Sequence, residues 1–141
     1  MKKGIYVLNT PAGGQLGCHC LLVEDSKFDQ YRIERVLHRT MPSRLSTAET
    51  LADAYRAIAA DRFDLVICNN ALPDGLGIDF VRTLRKHPSH RDIPVVMMSD
   101  RPSEMIKTRA IEAGVTTVVS KGRFTRDCLV QAVQGTHLMQ A

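Results

Sequence analysis

Four short stretches of this chain carry side chains able to handle a cation and a phosphoryl group: Glu24-Asp25, Asn69-Asn70, Ser99-Asp100 and Ser120-Lys121. Adjacent carboxylates suit a hard divalent ion, since Mg²⁺ takes one or two protein carboxylates and keeps several waters. A lysine and a hydroxyl are natural donors to phosphate oxygens. A nucleophile is missing from the set, because the amide of Asn69 is neutral and attacks poorly where a carboxylate would serve.

Other chemistry-bearing residues lead to simpler readings. Cys18-His19-Cys20 lacks a second ligand pair at zinc-like separation, so it is read as part of a buried strand. Cys68 and Cys128 lie in apolar stretches and are read as core residues. The glycine-rich run from Gly13 to Gly17 has neither the Lys nor the Ser/Thr of a phosphate-binding loop. His38, His87, His90 and His137 have no evident partners and are assigned to the surface.

The four chemical stretches share one feature: each follows a short apolar run. The runs are Cys20 to Val23, Leu65 to Cys68, Ile93 to Met98 and Val115 to Val119, with a weaker one at Arg44 to Ala48. Near-continuous apolar runs of this length suit parallel strands covered by helices on both faces. Between them apolar residues recur at helical spacing, as in Phe28, Tyr31, Ile33, Val36 and Leu37 after Ser26, a predicted N-cap. Further helices are predicted at Glu49 to Ala60, Gly77 to Lys86, Ser103 to Ala113 and Thr125 to Gln134, with Gly114 ending the fourth. Five βα units with right-handed crossovers imply an α/β, doubly wound, five-stranded parallel sheet. In such sheets ligands bind outside the carboxyl ends of the strands, where these polar residues fall.

With 141 residues, 44% of them hydrophobic, the chain has the composition of one globular domain. Residues 1–17 are read as a leader, either flexible or a short extra strand, residues 18–135 as the domain, and residues 136–141 as a tail. No apolar run approaches the ~20 residues of a membrane span. The lack of a signal peptide and the unpaired cysteine pattern fit the cytoplasm. The net charge of +4 favours an acidic partner, but with 5% aromatic residues and no basic run, direct nucleic-acid binding is not expected.

The segments LLVEDS (Leu21 to Ser26), FDLVICNNALPDGLG (Phe63 to Gly77), IPVVMMS (Ile93 to Ser99) and VVSKG (Val118 to Gly122) occur in an order and at separations that resemble the receiver domain of two-component response regulators. The resemblance runs from about Cys20 to Gln134 and implies the flavodoxin-like (βα)5 fold with strand order 2-1-3-4-5. It implies that Glu24 and Asp25 are the acidic pair for Mg²⁺, with the Asn70 carbonyl completing the metal shell. Asn69 stands at the phosphoacceptor position, Ser99 and Lys121 at the switch hydroxyl and lysine positions, and Pro73, Asp74 and Gly77 on the loop that follows.

The departures from the family pattern point to a pseudo-receiver. Asn69 cannot form an aspartyl phosphate, Val118 replaces the switch aromatic, and Gly122 follows Lys121 where proline is usual, which predicts a looser loop. Losing the acceptor carboxylate also predicts weak or absent Mg²⁺ binding. Lys121 is then expected to neutralise Glu24 and Asp25 and, with Asn69, to make a static pocket. Asp100 either compensates for the missing carboxylate, or caps the fourth helix or faces solvent. The implied function is a non-enzymatic, phosphorylation-independent protein-interaction module. Its partner would be a histidine kinase, another regulator or a second copy in a homodimer, engaged through the region around Arg101 to Arg126, where Lys107, Arg109 and Arg123 also lie. The alternative is an active relay protein that accepts phosphoryl groups on a carboxylate such as Asp100.

Overall fold

A computed structural model describes residues 5–8, 17–134 and 136. Residues 1–4, 9–16, 135 and 137–141 lie outside the described residues, among them most of the Gly13 to Gly17 run, His137 and most of the expected tail.

In chain order the elements are β1 (Ile5–Leu8), β2 (Cys18–Val23), α1 (Lys27–Thr40), β3 (Ser43–Ala48), α2 (Leu51–Ala60), β4 (Leu65–Asn69), the short β5 (Ala71–Leu72) and β6 (Gly75–Leu76), α3 (Gly77–Lys86), β7 (Val95–Ser99), α4 (Glu104–Ala113), β8 (Thr117–Ser120), a 3₁₀ turn at Lys121–Arg123 and α5 (Arg126–Val133). The main sheet has the order β1-β3-β2-β4-β7-β8. All its pairings from β3 to β8 are parallel. Counting only those five strands, the order is the expected 2-1-3-4-5.

Alternation along the strands divides the core in two. Leu21, Val23, Val66, Cys68, Val95 and Met97 face the layer built by α2, α3 and α4. Cys20, Leu22, Leu65, Ile67, Val96 and Met98 face Ile33 and Leu37 of α1 and Leu129, Ala132 and Val133 of α5. Burial on both sides explains why these strands read as unbroken apolar runs rather than alternating ones. Each fully buried Leu, Ile or Met stabilises the fold by roughly 1.5–3 kcal/mol.

Helix starts follow the hydroxyl residues in the sequence. Ser26, Thr50, Ser103 and Thr125 are the N-caps of α1, α2, α4 and α5, each accepting a backbone N–H of the first turn. Gly114 ends α4 with φ 105°, the left-handed region that glycine occupies without strain.

Several expectations shift. The fourth parallel strand starts at Val95 rather than Ile93. The predicted leader contributes β1, which pairs antiparallel with β3, Ile5 opposite Ser46 and Leu8 opposite Ser43. It covers the outer edge of β3, whose N–H and C=O groups would otherwise lie open to another strand. His90 is fully buried rather than at the surface. Its Nε2 accepts the Phe63 N–H at 3.1 Å and its Nδ1 lies 3.1 Å from His87 Nδ1.

Among the described residues no helix is long and apolar enough to cross a membrane.

Candidate functional site

The carboxyl ends of the parallel strands meet at one edge of the sheet. Glu24 follows β2, Asn69 ends β4, Ser99 ends β7 and Lys121 follows β8. The β7–β8 register sets Ser99 against Ser120, the residue before Lys121, and the β4–β7 register sets Asn69 against Met98, the residue before Ser99. Parallel pairing therefore gathers residues nearly a hundred positions apart.

Lys121 is the centre of the site's electrostatics. Its Nζ lies 3.0 Å from Glu24 Oε1 and donates to Asp29 Oδ2 at 2.8 Å. The expected partner Asp25 is exposed, because residues leaving the strand alternate in direction and Glu24 takes the inward place. Asp29, on the first turn of α1, is the partner that sequence reading missed. A signal for it existed in its place three residues after the Ser26 cap, on the α1 turn nearest the sheet's carboxyl edge.

Arg32 completes the group, pairing with Asp29 at 3.5 Å and donating from Nη2 to the Lys121 carbonyl at 2.7 Å. Backbone and side chain of Lys121 are thus both tied to α1. The Lys121–Arg123 segment forms a 3₁₀ turn.

Burial raises the Glu24 carboxyl above its usual range, with the Ser26 N–H and Lys121 opposing that rise. Burial alone would also raise Asp29, but the hydrogen bond and charge of Lys121, with Arg32, hold it below the usual carboxylate range. For Lys121, burial opposes the charged form, and the bonds to Asp29 and Glu24 outweigh it, raising the ammonium above its ordinary value. Lys121 thus lies between the carboxyl groups of Glu24 and Asp29, with the Arg32 guanidinium beside Asp29.

Asn69 is buried and does not bond to the lysine. Its Nδ2 donates to the Ala71 carbonyl at 2.7 Å. Asn70, assigned to the metal shell by its carbonyl, has other work: that carbonyl accepts the Gly77 N–H at 2.7 Å. Its side-chain Oδ1 accepts the Ile78 N–H at 3.1 Å, supplying to α3 the cap that Leu76 cannot. Gly77 is required by this contact, since a Cβ there would stand 2.6 Å from the Asn69 carbonyl oxygen. Asp74 caps α2 from across the loop, accepting the Leu51 and Ala52 N–H groups at 2.8 and 3.0 Å. The hairpin β5–β6 is thereby pinned to its neighbours.

Ser99 is buried at the end of β7, and Val118 packs partly buried against the core under α2, α3 and α4. Asp100 is exposed, and Ser103 rather than Asp100 caps α4. The carboxylates that meet Lys121 are Glu24 and Asp29, and Asp100 is not among them. Arg101, Lys107, Arg109, Arg123 and Arg126 are all exposed, beside the exposed Met105 and Ile111 of α4.

Cys18 and Cys20 are buried in β2, and burial pushes the Cys18 thiol up to about 12, while the intervening His19 bonds through Nε2 to Ser46 Oγ at 3.0 Å. Among the described residues no group of three or more His, Cys, Asp and Glu side chains is placed to hold a metal ion.

The family model of the response regulator receiver domain matches residues 20–134. The chain is 30% identical over 129 residues to the cyclic di-GMP phosphodiesterase response regulator RpfG of Xanthomonas campestris, covering 82% of this chain and 34% of that protein. It is 36% identical over 104 residues to the KDP operon transcriptional regulatory protein KdpE of Escherichia coli, covering 72% of this chain and 43% of that protein. This chain spans less than half the length of either relative. Among solved structures, the receiver domain of a sensor histidine kinase from Pseudomonas aeruginosa, which has a magnesium ion coordinated in its active-site cleft, superposes with a TM-score of 0.72 at 24% identity, covering 84% of this chain and 95% of that one. A response regulator from Chloroflexus aurantiacus superposes with a TM-score of 0.74 at 21% identity, covering 83% and 95%. These two likenesses bear on the fold alone. With the sheet order, the strand-end residues and the family match in agreement over most of its length, the chain belongs to the response regulator receiver domain family.

Proposed function

We propose that this domain is a pseudo-receiver: a non-enzymatic, cytoplasmic signalling module that acts through protein contact without being phosphorylated in its pocket. The observation that carries this reading is Asn69. It occupies the strand-end position of the phosphoacceptor, is buried, and spends its amide N–H on the Ala71 carbonyl. An amide is too weak a nucleophile to take up a phosphoryl group and could not hold the acyl linkage that a carboxylate forms. With no acceptor, phosphorylation has no means of shifting the domain between states, and its surface is presented in one conformation.

The surface that fits a partner is the exposed basic region from Arg101 to Arg126, with Met105 and Ile111 adding apolar contact. Such a surface steers an acidic protein, a histidine kinase or another regulator, toward docking. A second copy of the domain is the other candidate for the same face.

The test is the intact mass of the wild-type protein after incubation with Mg²⁺ and a small-molecule phosphodonor. No covalent adduct is expected. A base-labile phosphoryl adduct on the wild type would overturn the reading in favour of an active relay protein, and mapping would begin at the exposed Asp100.

A further inference from the structure

The residues of this pocket fit a magnesium ion poorly, because the place beside Glu24 is taken by Lys121. Mg²⁺ requires a near-octahedral shell of oxygens, with one or two carboxylates free to bind it. Of the acidic pair, only Asp25 keeps an open carboxylate, since Glu24 has its Oε2 bonded to the Ser26 N–H at 2.9 Å and its Oε1 facing the Lys121 ammonium at 3.0 Å. The carbonyls of Asn70 and Ala71 already accept from Gly77 N–H and Asn69 Nδ2. Asn69 thus directs a donor, not a lone pair, at the nearest carbonyl.

The pocket does hold a cation, and the chain supplies it. Glu24 Oε1 is fully buried without a hydrogen bond of good geometry, and Lys121 Nζ is the countercharge beside it. Glu24 alone does not fix that ammonium. Asp29 draws it toward α1 at 2.8 Å, and Arg32 fastens the Lys121 carbonyl to the same helix. Lys121 already faces both Glu24 and Asp29, so a dication entering between them must first displace the ammonium.

We propose that the Lys121 ammonium, seated by Asp29, replaces the divalent cation in this domain, making Asp29 a second lock on phosphoryl chemistry beside Asn69. This deepens the pseudo-receiver reading and rests on it. Asp29 is a positioning residue: it acts by holding Lys121 on Glu24 and away from any group bound at residue 69. Its first-turn location suits the task, because its own backbone N–H is used by the Ser26 cap, leaving the carboxylate free for the lysine.

The test compares the wild type, Asn69→Asp, Asp29→Asn and the double variant. Asp29→Asn keeps the side chain's shape and leaves the Ser26 cap intact. Titration calorimetry with MgCl₂ is expected to show the double variant binding about tenfold or more tightly than Asn69→Asp alone. The double variant is also expected to take label from a small-molecule phosphodonor where Asn69→Asp takes little. Independently of metal, the Lys121 amine of Asp29→Asn is expected to react faster than that of the wild type with an acylating reagent, read by peptide mass. Restoring a carboxylate with Asp29→Glu in the Asn69→Asp background is expected to weaken Mg²⁺ binding again. Equal Mg²⁺ affinity and labelling of Asn69→Asp and the double variant, or equal Lys121 reactivity with and without the Asp29 carboxylate, overturns the second lock and leaves the pseudo-receiver reading standing. Label on the wild type overturns both.

Discussion

The Lys121 ammonium lies 2.8 Å from the Asp29 carboxylate, two residues 92 positions apart in sequence, and a further 3.0 Å contact joins it to the fully buried Glu24. This arrangement makes the lysine more important to the fold than a surface cation, because removing it strands a carboxylate with no access to water. Lys121→Met is expected to destabilise the domain by about 3–5 kcal/mol at neutral pH, as breaking a buried pair from one side does. Adding Glu24→Gln to Lys121→Met should recover much of that loss, since the uncompensated charge is then gone. Asp29→Asn loosens Lys121 but keeps an ammonium within reach of Glu24, and should cost much less, since Asp29 retains contact with solvent. The ammonium is raised above its ordinary value of 10.5, so its contribution is fully present below that pH and is lost as pH climbs through the folded-state value. Urea unfolding of the four proteins at neutral and alkaline pH checks both the ranking and the sign.

Part of the stability on the acid side is set at the opposite end of the sheet. Burial lowers His19, aided by the charge of Arg44, and lowers His90, aided by His87 and Arg62, despite the carboxylate of Asp64 near both. A histidine whose folded-state value lies below its ordinary 6.5 takes up its proton more readily when unfolded, so the fold loses stability as pH falls through 6.5 toward the folded value. The geometry gives the same sign. His90 Nε2 accepts the Phe63 N–H, which leaves the His90 proton on Nδ1, facing an unprotonated His87 Nδ1. A proton added to His90 would go to Nε2 and turn the acceptor of the Phe63 N–H into a donor, breaking that contact. The urea midpoint is expected to fall between about pH 7.5 and about pH 5.5. His19→Gln and His90→Gln should each lower stability at the higher pH and flatten this dependence.

The sheet and the site were legible in the sequence to different depths. Runs such as Leu65 to Cys68 and Ile93 to Met98 announce strands buried on both faces, and Ser26, Ser103 and Thr125 announce helix starts, because those signals are local. The register follows from the fold, so the gathering of Glu24, Asn69, Ser99 and Lys121 was also legible. The direction of side chains beyond the strand ends was not. Whether Glu24 or Asp25 turns inward depends on where β2 stops, and which carboxylate Lys121 meets depends on how α1 leans on the sheet. The same holds for His90, whose partner Phe63 N–H comes from a distant loop. The leader's pairing with β3 has little sequence signal, since a four-residue strand on an edge has no period to read.

The loop after β4 tolerates no side chain at position 77. A Cβ there would meet the Asn69 carbonyl oxygen at 2.6 Å and Cys68 Sγ at 2.8 Å, and one of these is backbone that cannot swing away. Gly77→Ala must therefore displace the start of α3 and lengthen the Gly77 N–H to Asn70 carbonyl bond. Asn70→Ala removes the Oδ1 that accepts the Ile78 N–H and is expected to cost about 0.5–2 kcal/mol, the range for losing an N-cap. Because both changes act on the same first turn, their effects should not add. Denaturant midpoints of the two single variants and the double variant test this. Strict additivity would show that Gly77 and Asn70 support α3 independently.

The pocket is also protected against acquiring a carboxylate by slow chemistry. Deamidation of Asn69 proceeds when the backbone nitrogen of the next residue, Asn70, attacks the Asn69 side-chain carbonyl and expels ammonia. That nitrogen donates its hydrogen to the Met98 carbonyl at 2.9 Å in the β4–β7 pairing, and the Asn69 amide is itself held on Ala71 at 2.7 Å. Ring closure would require both contacts to break within a buried strand end, so it is reached only through local unfolding. In the folded protein Asn69 is expected to survive prolonged incubation at mildly alkaline pH, while the same residue in urea-unfolded protein converts at the rate of an ordinary Asn-Asn sequence. Peptide mapping by mass over a time course distinguishes the two. Conversion at comparable rates in both states would mean that this strand end opens frequently and that the domain can generate its own acceptor carboxylate with age.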